Sequence, residues 1–203
     1  MNLRIPTIVD TILFHLFEFR IKDKDKNLYL TFDDGPIPEV TPQVLNMLER
    51  YNAKATFFCV GDNVRKHREV FLDILKRGHR VGNHTFHHLG GMTHTNKHYY
   101  NDIIQAKEVI DSNLFRPPYG RLWIHQVNKL RQQGFRFILW SKISFDYRRN
   151  MSKEQCWDNV SKLKSGDIIL FHDSIKARKN MFYALEKLLE YYSKKGFSFK
   201  AIK

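Results

Sequence analysis

The chain has 203 residues and a mass of 24.3 kDa, which fits one domain able to bury a substantial core without disulfide or metal staples. Its 42% hydrophobic and 14% aromatic content excludes disorder, and its 27% charged residues exclude an integral membrane protein. Cys59 and Cys156 are too few for a disulfide scaffold and lie in no CxxC spacing, while a net charge of +13 points to anionic partners without naming one. Taken in chain order, residues 8–19 come first, with Ile8, Ile12, Leu13, Leu16 and Phe17 on one helical stripe broken by Asp10, His15 and Glu18. The stretch is too short and too polar to span a bilayer, and no small-residue cleavage site follows it. Residues 1–26 therefore read as an N-terminal extension or capping helix, with an interfacial membrane helix as the competing reading. Apolar runs then alternate with amphipathic ones. Strands are expected at 27–32, 55–60, 80–83, 114–116, 135–140, 167–171 and 197–202, and helices at 42–51, 69–77, within 97–112, and at 124–133, 153–163 and 180–193. Gly78 and Gly134 close two of the helices. Seven strands and about six helices in strict alternation predict a single α/β domain with a parallel sheet, either an open doubly wound sheet or a closed barrel.

Reactive side chains fall after the expected strands. Asp33 and Asp34 follow the first, His84, His87 and His88 the third, Arg116 to Tyr119 the fourth, Asp146 lies past the fifth, and His172 and Asp173 end the sixth. In parallel α/β folds the C-terminal strand ends converge on one face, which carries the active site. Two imidazoles and a carboxylate with open positions are the ligand set of a catalytic cation. His84 and His88, four apart, can chelate jointly, and one aspartate of the Asp33–Asp34 pair would complete the set while the other acts as general base. His172 would then be the acid for a leaving group. Each motif also has a plain structural reading: Asp-Asp-Gly-Pro is a common turn, and ten histidines make an HxxxH pair unremarkable. Independent turns would not, however, place base, ligands, anchor and acid at successive strand ends.

At these residues the chain resembles the polysaccharide deacetylases, or family-four carbohydrate esterases, whose catalytic part is the NodB homology domain. Thr31–Pro36 (TFDDGP), His84–His88 (HTFHH), Arg116–Tyr119 (RPPY) and Leu170–His172 (LFH) match four of the family's motifs in order, and the match runs from about residue 27 to the C-terminus. The resemblance implies a distorted, incomplete (β/α) barrel and a catalytic domain over residues 27–203. It further implies a metal-dependent hydrolase that removes N-acetyl groups from N-acetylglucosamine-containing glycans of the chitin or peptidoglycan type. By the same resemblance Asp34, His84 and His88 hold one divalent ion, zinc in the first place with cobalt, manganese or nickel as alternatives. Asp33 is the base, Arg116 orients it, His172 is the acid, and the Tyr119 backbone N–H stabilises the oxyanion. Leu170, Tyr147, Tyr119 and Trp140 are expected to meet the substrate, and His87 to face solvent or stand behind the ligands.

One motif departs from the pattern. Where the family carries D-x-x-D-W, this chain reads Ile143-Ser144-Phe145-Asp146-Tyr147, so Ile143 stands where the carboxylate that holds the acidic histidine protonated is expected. Asp146 or Asp173 would have to supply that charge; otherwise the chain is a catalytically impaired metal- or glycan-binding barrel. A nucleic-acid binder is disfavoured, because the Lys and Arg residues are dispersed and no nucleic-acid-binding signature accompanies them. The expected partner is an N-acetylated glycan met by a monomer, with peripheral contact to a membrane or an anionic cell wall suggested by the charge. The absence of a recognisable leader suggests a cytoplasmic or membrane-peripheral location.

Overall fold

The computed structural model describes residues 16–203, so the expected stripe at Ile8, Ile12 and Leu13 lies outside the described residues. The strands are β1 (Asn27–Asp33), β2 (Ala55–Cys59), β3 (Arg80–Asn83), β4 (Leu114–Phe115), β5 (Arg136–Phe137), β6 (Lys142–Ile143), β7 (Ile168–His172) and β8 (Ser198–Phe199). Between them lie α1 (Thr41–Arg50), α2 (Gly61–Lys66), α3 (Arg68–Lys76), α4 (Asn96–Lys107), α5 (Ile124–Gln132), α6 (Lys153–Val160) and α7 (Arg178–Lys194). Seven strands pair in parallel in the order β5-β4-β3-β2-β1-β7-β6, and the two-residue β8 adds an eighth against the start of β1. The sheet curls into an incomplete barrel with β5 and β6 as its unpaired edges.

The expected strand over 135–140 is in fact split. After β5 the chain crosses the gap between the two sheet edges: Ile138 N–H donates to the Phe115 carbonyl on β4, and Ser141 N–H donates to the Ile168 carbonyl on β7, both at 3.0 Å. A ladder cannot run straight through such a crossing, so β6 begins only at Lys142. Residues 18–21 fill the bottom of the same gap. Glu18 bridges to Ile138, Arg20 bridges to Asp167 and pairs with its carboxylate, and Ile21 N–H donates to the Gly166 carbonyl. The short helix α2 was not expected, because six residues give no apolar stripe to read.

Period-two alternation sorts each strand between two cores. Leu30, Phe32, Ile169 and Phe171 go outward under the helices, where the Phe32 ring stacks on Phe57 at 5.0 Å and on Phe171 at 5.9 Å. Tyr29 and Ile168 turn inward to a separate cluster with Phe58, Leu114, Ile138 and Ile202. On β1 and β7 the inward positions continue through Thr31 and Leu170 to Asp33 and His172 at the mouth, which places both side chains on the interior face. Helix ends follow local chemistry. Ser152 and Gln155 form a reciprocal capping box at α6, and Gly78 and Gly134, at φ 75° and 86°, terminate α3 and α5 as expected. Among the described residues no helix is long and apolar enough to cross a membrane.

Gly82 on β3 shows how tightly the interior is filled: a Cβ there would stand 2.5 Å from two ring carbons of Phe58. Gly82→Ala is therefore expected to lower unfolding free energy by about 1–3 kcal/mol, since Phe58 is held beneath a buried guanidinium and has nowhere to move. Denaturant melts check this; an unchanged midpoint would show that the interior yields.

Candidate active site

Arg116 leaves the end of β4 fully buried, and its guanidinium occupies the upper barrel interior. Its Nε and Nη2 donate to the Ile138 and Leu139 carbonyls, both at 2.9 Å, which are supplied by the gap-crossing segment. Its Nη1 donates to Thr31 Oγ1 at 2.8 Å and to Asp33 Oδ1 at 2.7 Å. The Phe58 ring lies 4.0 Å from the guanidinium carbon, and the Trp140 ring 5.6 Å. Burial pushes the Arg116 pKa below its ordinary value, opposed by the Asp33 carboxylate. One oxygen of Asp33 is thus pinned, and the other, Oδ2, lies 3.8 Å from His84 Nε2.

Asp34, His84 and His88 form a candidate ligand cluster, each offering one donor atom within 4.8 Å of the others. His84 Nδ1 donates to the Arg116 carbonyl at 2.7 Å, which fixes the tautomer and leaves Nε2 as a lone-pair donor toward Asp34. Burial lowers its pKa to about 4, so the ring is neutral, the form in which an imidazole binds a cation. Burial would raise the Asp34 pKa, but His88, whose Nε2 is 3.4 Å from Oδ1, and the other nearby imidazoles hold it down to about 2. Two imidazole nitrogens and an ionised oxygen fit a hard or borderline divalent ion with open positions.

The backbone here is held in unusual conformations. Asp34, Thr85, His88, Tyr119 and Phe145 all have positive φ between 57° and 84°, and all stand at the mouth. Buried carboxylates fasten these turns. Asp102 of α4 accepts the Phe86 and His87 N–H groups at 2.8 and 3.0 Å and pairs with His87 Nδ1 at 2.6 Å, which fixes the loop between His84 and His88. His87 is thereby tied away from the ligand cluster with its ring half exposed. Asp173 accepts the Gly35 N–H at 3.0 Å and the Thr41 hydroxyl at 2.5 Å, and a Cβ at Gly35 would overlap its carboxylate. Burial raises the Asp173 pKa to about 8. Neither Asp102 nor the Asp173 latch was assigned from sequence; an acid on the helix after the histidine motif and one directly after the strand-end histidine were the available signals.

His172 lies across the mouth from the ligand cluster. Its Nδ1 is 2.8 Å from Asp146 Oδ1, and its backbone N–H donates to Oδ2 at 2.9 Å. The carboxylate sought at position 143 is therefore at 146. Ile143 lies in β6 opposite Leu170, and the buried Asp146 reaches the histidine from the turn beyond. Burial alone would lower the His172 pKa, but the Asp146 charge and hydrogen bond override it and raise it to about 9.

The remaining expected residues divide. Tyr119, 69% exposed in the PYG turn, sets its ring 5.0 Å from His88, and Tyr147 sets its ring 4.7 Å from His172. Leu170 is buried on the interior face below His172. Trp140 precedes β6, packs under Gly120 in the turn that carries Tyr119, and also lines the cavity at the N-terminal strand ends with Tyr29 and Arg80.

A family model described as polysaccharide deacetylase matches residues 20–138. A peptidoglycan-N-acetylglucosamine deacetylase of Bacillus cereus is 35% identical over 91% of this chain and 90% of its own length. A chitooligosaccharide deacetylase of Azorhizobium caulinodans is 30% identical over 76% of this chain and 77% of its own. A crystal structure of the peptidoglycan N-acetylglucosamine deacetylase Bc1960 superposes with a TM-score of 0.88 at 28% identity, covering 98% of this chain and 95% of that one. Sequence and fold agree over nearly the whole length: the chain belongs to the polysaccharide deacetylase family of hydrolases.

Proposed function

We propose that the chain hydrolyses the acetamide of N-acetylated amino sugars in peptidoglycan- or chitin-type glycans, and that it does so with a divalent cation held by Asp34, His84 and His88, zinc in the first place. One observation carries the proposal: a three-residue candidate ligand cluster and an Arg116-oriented carboxylate share one mouth with a histidine held by Asp146. The cation would acidify a water and offer positive charge to the carbonyl oxygen. Asp33, its Oδ1 held by Arg116, accepts a proton from the attacking water through Oδ2. The Tyr119 backbone N–H donates to the oxygen that becomes negative. His172, kept protonated by Asp146, gives its proton to the departing amine nitrogen. Leu170 and Tyr147 enclose the acetyl methyl beside it. The impaired-barrel alternative rests on Ile143, and the Asp146 carboxylate against His172 favours the hydrolytic reading over it.

Acetate release from N-acetylglucosamine oligomers and from peptidoglycan fragments tests the reading. Turnover should vanish on chelation and return with added zinc, cobalt, manganese or nickel. His84→Ala should lower it by about 10²-fold or more at equal metal. Wild-type turnover by the chelated protein would refute the reading.

A second measurement concerns pH. His172 titrates near pH 9, so its proton-donating form prevails below that and is lost above it. Asp146→Asn removes the charge that raises this pKa, so the alkaline limb of the rate profile should move down by about 1–3 pH units. A limb that stays in place would take the donor role from His172.

A further inference from the structure

The wall of the mouth beside His172 carries two cations, each fastened over an aromatic ring. Tyr147, whose ring lies 4.7 Å from His172, has the Lys176 Nζ 5.7 Å from its centroid. Phe145, 6.5 Å from Tyr147, has the Arg148 guanidinium carbon 4.2 Å from its centroid. A continuous chain of contacts therefore runs from the proton-donating imidazole to both cations. Among the described residues neither has a carboxylate partner. The nearest acid in sequence, Asp146, has both oxygens engaged by His172, and Asp173 is buried against Gly35 and Thr41. Phe145 is held at φ 57°, a conformation costly for an aromatic residue, and it carries the ring on which Arg148 rests.

We infer that Lys176 and Arg148 form an anion subsite that selects glycans bearing a carboxylate next to the scissile acetamide. This rests on the deacetylase reading above. His172 would protonate the nitrogen on sugar carbon 2, so substituents on the adjacent carbon 3 lie on the same side of the mouth. In N-acetylmuramic acid that carbon bears a lactyl ether ending in a carboxylate, whereas the corresponding oxygen in chitin is a neutral hydroxyl. Two cations held by ring contacts lose less side-chain freedom on meeting a carboxylate than free surface lysines do. Because both heads are solvent-exposed, the attraction is salt-sensitive and modest per charge.

The test compares one peptidoglycan oligosaccharide in two forms, with free lactyl carboxylates and with those carboxylates converted to amides, by equilibrium binding to the full chain at low and physiological salt. The wild-type protein should favour the free acid by about tenfold at low salt, less as salt rises. That ratio should fall to near one in the Lys176→Ala/Arg148→Ala double variant and invert in Lys176→Glu, with thermal melts showing that each variant is folded. Equal wild-type affinity for the two forms overturns the inference, as does a preference that survives in the double variant. Acetate release from neutral oligomers without any preference would refute the inference alone; a preference without acetate release from any glycan would refute the deacetylase reading alone.

Discussion

The site depends on one buried cation. Removing a guanidinium from water costs several kcal/mol, and no single carboxylate recovers that unless the remaining N–H groups are also satisfied. Around Arg116 the barrel supplies four acceptors from two directions: Thr31 and Asp33 from β1, and the Ile138 and Leu139 carbonyls from the segment that crosses the open seam. The residue then acts twice in the site. Its side chain holds one oxygen of Asp33, and its backbone carbonyl holds Nδ1 of His84. Asp33 and His84 thus take their orientation from one residue, and half of that residue's acceptors come from the segment that crosses the gap between β5 and β6.

The same logic of internal anchoring extends outward. Asp102 binds the backbone of the loop between the two histidine ligands, Asp173 binds the turn that bears Asp34, and Asp146 binds His172. Each is a buried carboxylate fixing the position or charge of a group that faces the mouth. Positive-φ backbone at Asp34, Thr85, His88 and Phe145 lies in or beside the segments these anchors hold. The outcome is a preorganised site, with its polar groups aimed before any substrate arrives.

Much of this was legible from the sequence because catalytic residues in parallel α/β folds must follow strands, and the strands were marked by their apolar runs. Asp33, Asp34, His84, His88, Arg116 and His172 could be placed at one mouth on that ground alone. Two kinds of feature were not readable. A strand that changes edge, as between β5 and β6, keeps its apolar composition through 135–140 although its hydrogen bonds go to two different partners. The carboxylate serving His172 could not be fixed by motif spacing, because its reach is set by the turn at Phe145 and not by distance along the chain; Asp146 meets the imidazole where Ile143 faces Leu170 across the β6–β7 ladder. Trp140 stands ahead of β6 in the crossing segment and packs against the Tyr119 turn.

Asp33, proposed to take the proton, and Asp34, proposed to hold the cation, are adjacent in the chain and can be separated by substitution. Asp33→Asn keeps an oxygen for Arg116 to donate to and removes only the basic carboxylate. Parallel measurement of acetate release and of divalent-ion affinity in that variant is the most direct test. The account predicts a loss of turnover of about 10²–10⁴-fold with ion affinity essentially retained. Ion affinity lost together with turnover, or turnover retained, would contradict it.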